Sequence, residues 1–302
     1  MGALNASVAT AAKADLTWRE TVGAYVSLTK PRIISLLLIT TIPAMILAEQ
    51  GMPSAWLIAA TVLGGTLAAG GANAINCYID RDIDEIMHRT QGRPLPMGKL
   101  EPLHALVFAL ALEVAAFALL VATSNLLAGV LALSATAFYV FVYTMWLKRT
   151  SRQNIVIGGA AGAVPPLVGY AAATGSLALP ALWLFLIVFL WTPPHFWALA
   201  LMIKNAYAAA GVPMLPVVRG ERETARQIVL YSLALFAFTV VVGLWLGPLY
   251  TAAAIVLGAV FVALAVLLRR DLSRARAQLL FHYSLLYLAL LFTAAALDPV
   301  VL

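Results

Sequence analysis

Charge is scarce in this 302-residue chain. Only 11% of its residues are Asp, Glu, Lys or Arg, and 13 acids face 19 basic residues. Soluble domains carry about a quarter charged residues, so an ordinary soluble globule is excluded. Cysteine is nearly absent: the single Cys77 rules out an internal disulfide, a Cys-rich metal site and a Cys-x-x-Cys-His haem attachment. Its expected role is that of a small packing residue. Linkers and low-complexity segments are also missing, so 1–302 reads as a single membrane-embedded domain with a cytoplasmic tail over 1–24. No short apolar stretch with a small-residue cleavage site leads the chain, and the tail carries Asp15 and Glu20. Neither a signal peptide nor a transit peptide is expected.

What fills the chain instead is hydrophobic residues, 63% of the total, gathered into long runs. Nine of them, near 33–49, 54–79, 103–121, 126–147, 155–173, 181–203, 227–247, 250–268 and 278–297, approach or exceed the roughly 20 residues that cross a bilayer. The predicted fold is an all-α bundle of nine transmembrane helices. The basic residues fall in the tail (Lys13, Arg19, Lys30, Arg32) and in alternate loops, from Arg81–Lys99, Lys148–Arg152 and Lys204–Arg226 to Arg269–Arg276. By the positive-inside rule the N-terminus is cytoplasmic and the C-terminus outside. The sequence pI near 9.6 is therefore a topology signal and gives no case for nucleic acid. A bacterial cytoplasmic membrane is the expected location.

One polar stretch interrupts this pattern. Asn76-Cys-Tyr-Ile-Asp80-Arg-Asp-Ile-Asp84-Glu-Ile-Met-His-Arg89-Thr-Gln-Gly-Arg93 follows directly on the second apolar run. On a helix Asn76, Asp80 and Asp84 lie at i, i+4 and i+8, each step turning about 400° and rising about 6 Å, so they form one stripe. Two carboxylates and an amide oxygen suit Mg²⁺, which is held by one or two carboxylates and shared with substrate phosphates. Arg89 and Arg93 offer forked donors to phosphate oxygens. Asp82 and Glu85 point off the stripe and read as exposed charge. The pattern predicts a diphosphate site at the cytoplasmic mouth of the bundle.

The Asn-x-x-x-Asp-x-x-x-Asp stripe resembles the intramembrane prenyltransferase superfamily that includes the 4-hydroxybenzoate polyprenyltransferases. A more specific likeness covers nearly the whole chain. Leu28-Thr-Lys30-Pro-Arg32-Ile, Asn76 to Asp84, Arg89-Thr-Gln-Gly-Arg93-Pro-Leu-Pro, Tyr143-Thr-Met-Trp-Leu-Lys148-Arg149, Gln153-Asn154-Ile-Val-Ile-Gly-Gly, Pro165-Pro-Leu-Val-Gly-Tyr170, Thr192-Pro-Pro-His195-Phe-Trp and Ala210-Gly-Val-Pro-Met-Leu-Pro216 are similar to the protohaem IX farnesyltransferases. The resemblance implies transfer of the farnesyl group of farnesyl diphosphate to a vinyl group of haem B, with addition of water and release of diphosphate, to give haem O. It implies Mg²⁺ on Asn76, Asp80 and Asp84, with Arg89, Arg93, Lys148 and Arg149 gripping the diphosphate. Pathway logic adds a haem A synthase as a possible partner, alongside the lipid bilayer. The chain departs from the pattern at Lys204-Asn205-Ala206-Tyr207, where the haem branch usually keeps an acid before the tyrosine. The nearest acids are Glu221 and Glu223, so a second metal is in doubt. Asn205 could lend an amide oxygen there, or Lys204 could meet the diphosphate.

Other residues carry two readings each. His195, after Pro193-Pro194, could ligate haem iron, orient the porphyrin, or bond a carbonyl freed by the prolines. Glu113, near mid-membrane, is a functional candidate, though a protonated glutamate bonded to a neighbouring helix is favoured. His88 reads as a solvated loop residue, and His104 and His282 as interfacial. Tyr78, Tyr139, Tyr143, Trp191, Phe196 and Trp197 either line a cation-stabilising cavity or simply pack. Lys30-Pro31-Arg32 is a membrane anchor or a substrate-side group. Two other functions compete: prenyl transfer to an aromatic or quinone-precursor acceptor, and a transporter with an acidic cation site. The acid stripe at the surface, where a transporter would place its site near the midplane, weighs against the latter.

Overall fold

The computed structural model describes residues 16–301, without the side chains of 32, 33 and 35–37. Lys13 and Asp15, and the side chain of Arg32, lie outside the described residues. Every regular element among them is helical. Among the described residues, a helix precedes the first expected span. Helix α1 (Trp18–Thr29) opens on a capping box in which the Glu20 N–H donates to Thr17 Oγ1 and the Thr17 N–H donates to Glu20 Oε2. It buries Ala24 and Leu28 against α3 (Ala55–Ile79). Trp18, Val22 and Val26, four residues apart, stay exposed on one stripe, as expected of a helix lying in a membrane interface.

At Lys30 the backbone turns through the left-handed region (φ 54°), and α2 (Pro31–Glu49) starts at once on Pro31. A non-glycine residue rarely adopts that conformation. Pro31, with its fixed φ and missing N–H, suits the first helical position.

Eight helical stretches are long and apolar enough to cross a bilayer: α3, α5 (Pro102–Thr123), Leu126–Thr150, Asn154–Thr174, α10 (Leu179–Met202), α13 (Gly220–Leu246), α14 (Pro248–Arg270) and α15 (Arg274–Val301). The first expected span falls on α2, of which Leu38–Glu49 forms a shorter apolar helix among the fully described residues. Short helices α4 (Arg81–Ile86), α11 (Lys204–Ala209) and α12 (Leu215–Val218) occupy the charged loops. Two spans are internally broken. Leu126–Thr150 runs as α6 (Leu126–Ala137), then a π-helix (Phe138–Leu147), then one last turn α7 (Lys148–Thr150). Asn154–Thr174 is α8 (Asn154–Ala163) and α9 (Pro165–Thr174), parted where Pro165 has no N–H to continue the ladder.

Small residues decide which helices meet. A methyl on Gly158 would lie 2.2 Å from the Tyr143 ring, and one on Gly159 2.8 Å from Thr192. Glycine at these positions lets α8 approach both the π-helix and α10. Helix α10 also packs on α13, α15 and α2, which makes it the hub of the bundle. Bulky apolar residues such as Val107, Val114, Leu244 and Val256 point outward, where lipid takes them.

Candidate active site

The stripe forms, but not on one unbroken helix. Helix α3 ends at Ile79, and Asp80 (φ −87°, ψ 9°) serves as its C-cap and as the N-cap of α4. The i to i−4 ladder nevertheless passes through the junction: the Asp80 N–H donates to the Asn76 carbonyl at 2.9 Å, and the Asp84 N–H to the Asp80 carbonyl at 2.8 Å. The three side chains therefore stay in register. All three are buried, Asp80 completely.

Buried carboxylates need partners, and the structure supplies three cations, two from α7 and one from the loop after α4. Lys148 Nζ donates to Asp80 Oδ2. Arg149 reaches Asp80 Oδ1 at 3.4 Å and clasps Asp82 with both terminal nitrogens, at 2.7 and 2.8 Å. Arg93, carried back by the loop after α4, donates to Asp84 Oδ2 at 2.5 Å. Asp82 is thus an anchor for Arg149 as well as an exposed charge. That bidentate contact holds its carboxyl down at about 2. Asn76 is read on both sides: its Nδ2 donates to Asp80 Oδ2 at 2.7 Å and to Thr144 Oγ1 at 3.2 Å, and its Oδ1 accepts from Lys30 Nζ at 2.8 Å.

Lys30 and Thr144 are the residues the sequence reading under-rated. Lys30 belongs to the site because the left-handed turn aims its ammonium at Asn76. Burial, with the charges of Arg93 and Lys148 adding to it, holds that ammonium down to about 8, while the carboxylate of Asp84 opposes the shift. The Leu28-Thr-Lys30-Pro block was the available signal. Thr144 is placed by the π-helix, whose Tyr139 and Tyr143 rings stack 5.4 Å apart beside it. Wide π turns recur at functional sites.

The donor set fits Mg²⁺. Among the described residues no three His, Cys, Asp or Glu side chains converge into an all-protein metal cage. Two carboxylates and an amide oxygen on one stripe leave coordination positions for phosphate oxygens, the usual arrangement for this ion.

The remaining candidates divide. Arg89 is exposed at the rim. Burial raises the pKa of the Tyr207 hydroxyl of α11, and the charges of Arg89 and Arg93 oppose that rise. Lys204 is not brought to the stripe by any contact: its ammonium pairs with Glu221 at 3.2 Å. His195 sits elsewhere on α10, stacked between Trp191 (4.2 Å) and Phe281 (4.7 Å). Its Nδ1 lies 2.6 Å from Ser284 Oγ, which itself lies 2.6 Å from the Phe281 carbonyl. Ser284 has one proton. Only one arrangement satisfies both short contacts: Nδ1–H donates to Oγ, and Oγ–H donates to the carbonyl. The lone pair of His195 is then on Nε2.

The six aromatics do not line one cavity. Trp191 and Phe196 surround His195, Trp197 meets Tyr231 edge-on at 5.4 Å, and Tyr78 lies under Arg81. Only Tyr139 and Tyr143 flank the acids. Glu113 accepts from Thr136 Oγ1 at 3.1 Å and fills the space beside Gly71, so it joins three helices. Cys77 is buried with its thiol toward the Leu28 carbonyl, a packing role. His88, His104 and His282 are exposed. Asn154, at the start of α8, is fully buried with both amide atoms unpartnered.

These features have counterparts in known proteins. A model of the UbiA prenyltransferase family matches residues 37–291. A protoheme IX farnesyltransferase of Roseiflexus sp. (strain RS-1) is 56% identical over 280 residues, 92% of this chain and 52% of the relative, so the chain spans about half of that protein's length. Protoheme IX farnesyltransferase 1 of Saccharopolyspora erythraea is 50% identical over 305 residues, covering 100% of this chain and 98% of the relative. Among solved structures, digeranylgeranylglyceryl phosphate synthase has a TM-score of 0.77 at 18% identity, covering 94% of this chain and 100% of that one. A UbiA homolog from Archaeoglobus fulgidus bound to GPP and Mg²⁺ has a TM-score of 0.66 at 15% identity, covering 90% and 99%. At those identities the two structures show a common fold. The chain belongs to the UbiA prenyltransferase family, among relatives that are protoheme IX farnesyltransferases.

Proposed function

We propose that this chain transfers the farnesyl group of farnesyl diphosphate to a vinyl carbon of haem B, giving haem O. The observation that carries the chemistry is the acid stripe with Lys30, Arg93, Lys148 and Arg149 bonded onto it. The acceptor comes from the relatives' name, held at 50% identity over the full chain. Nine spans with the charged end in the cytoplasm of a bacterial inner membrane complete the reading, and a haem A synthase would consume the product.

Asn76, Asp80 and Asp84 would hold Mg²⁺, which when bound supplies positive charge against the leaving diphosphate. The chain's own residues do the rest. Arg93, Lys148 and Arg149, with Arg89 from the rim, donate to phosphate oxygens as the allylic C–O bond breaks and its electron pair leaves with the diphosphate. Such preorganised cations act where charge develops. The vinyl π pair then forms the new bond to the farnesyl C1. The cation left beside the porphyrin takes a water oxygen, and that water's proton is released. The stacked Tyr139 and Tyr143 present π faces to the allylic cation. Burial of Asn76, Asp80 and Asp84 keeps bulk water from capturing it early. His195, with Nε2 unprotonated, is the residue for the haem iron.

The test incubates purified protein with haem B, farnesyl diphosphate and Mg²⁺, with an EDTA control, and analyses the haem by mass spectrometry. A Mg²⁺-dependent haem O peak is expected. Unmodified haem B from folded protein would overturn the acceptor, and aromatic acids and quinone precursors would be tried next with the same donor.

A further inference from the structure

A cavity of about 530 Å³ lies between the charged ends of α13 and α14, away from the acid stripe. Arg222 and Arg226 of α13 line one wall, and Arg269 and Arg270, the last residues of α14, line the other. The acids present are Glu223 and Asp271. Both are already engaged: Glu223 accepts from Gln227 at 2.7 Å and Arg226 at 3.5 Å, and Asp271 pairs with Arg276 at 3.7 Å. Arg222, Arg269 and Arg270 have no ion pair among the described residues.

Topology accounts for basic residues on this side of the membrane, but not for their convergence. Orientation depends on how many lysines and arginines a loop carries. It gives no reason for two helices to aim four guanidinium groups into one hollow, where like charges repel. An anion with several acceptor oxygens relieves that repulsion, and arginine forks match phosphate geometry. The surface below the arginines is apolar. Leu230 stands one turn after Arg226 on the same face of α13, and Leu267 three residues before Arg270 on α14; both are exposed. A phosphate grip above a lipid-facing apolar surface matches a phospholipid, head and chain together. Basic pockets between membrane helices bind anionic head groups in this way.

We infer that this cavity is a binding site for the phosphate of an anionic phospholipid, one whose head group carries no amine to neutralise it. The site is separate from the prenyl-transfer site and does not depend on which acceptor is prenylated.

Phosphatidylglycerol, phosphatidylcholine and soluble glycerol phosphate are the probes, added to the full-length protein in detergent and read by native mass spectrometry and melting temperature. Wild-type protein is expected to retain phosphatidylglycerol over phosphatidylcholine by about tenfold or more, and to ignore glycerol phosphate. Two double variants, Arg269→Gln with Arg270→Gln and Arg222→Gln with Arg226→Gln, attack opposite walls, so one misfolded protein does not decide the matter. Each is expected to bring retention close to that of phosphatidylcholine. A control double variant, Lys99→Gln with Arg274→Gln, removes the same charge from exposed positions outside the cavity. It is expected to stay within about twofold of wild type. Equal losses in control and cavity variants would reduce the effect to general attraction and overturn the site. Arginine-dependent binding of glycerol phosphate as strong as that of the lipid would overturn the lipid assignment in favour of a soluble phosphate.

Discussion

At the scale of single residues, the acids of the stripe have unequal surroundings. Asp80 is held by Lys148, Arg149 and Asn76, while Asp84 has Arg93. Asp80→Ala therefore leaves Lys148 and the Asn76 amide without their acceptor, while Arg149 keeps Asp82, and Asp84→Ala leaves only Arg93 without its own. Both variants are expected to lose at least about a hundredfold in haem O formation, the scale of removing one preorganised electrostatic group. Asp80→Ala should also lower the melting temperature more than Asp84→Ala. Asn154 poses a different question, because its buried amide has no partner. An unsatisfied buried polar group costs about 1–3 kcal/mol, so Asn154→Leu should raise stability in a denaturation assay. Stripe residues were legible in the sequence because i, i+4 spacing survives any tertiary detail. Lys30 was legible only as one of two readings and Thr144 was not, since they reach Asn76 from 46 and 68 positions away in the chain. The first depends on an unusual backbone turn and the second on a helix distortion.

The distortion belongs to the scale of elements. Run length alone located the spans, but no periodicity in an apolar segment such as Phe138–Leu147 distinguishes a π turn from an α turn, because every face is hydrophobic. The same uniformity hid the break between α8 and α9, except for Pro165. A π segment holds surplus residue in its wide turns. Deleting Phe141, which points outward and is 63% exposed, should tighten the turn toward α geometry and leave Lys148 in place. Deleting the exposed Leu186 from α10, ahead of Pro193-Pro194 and with no wide turn to absorb the loss, should instead rotate everything after it by about 100° and unseat His195. The first protein is expected to purify as a folded monodisperse species and the second to fail to accumulate, as judged by size-exclusion chromatography after membrane extraction.

At the scale of the whole molecule, charge alternation predicts the orientation, and the single Cys77 makes it simple to map. In a Cys77→Ser background, Ser176→Cys between α9 and α10 should react with an impermeant maleimide in intact cells. Gly92→Cys, where added atoms meet nothing within 4 Å, should react only after lysis. The reverse pattern would invert the bundle. One local arrangement also constrains how the whole protein takes up its ligands. The carboxylates that would hold the metal are already neutralised by the protein's own cations. A divalent ion arriving alone competes with those ammonium and guanidinium groups for the oxygens, and like charge sets them against each other. A diphosphate arriving with the ion gives the displaced cations new acceptors. Each ligand should therefore strengthen the other's binding by the same factor, about 5–150-fold if the coupling is of ordinary size. Titrating Mg²⁺ by calorimetry with and without a non-reactive farnesyl thiodiphosphate measures that factor. A value of one would mean that the cations stay on the acids throughout the cycle.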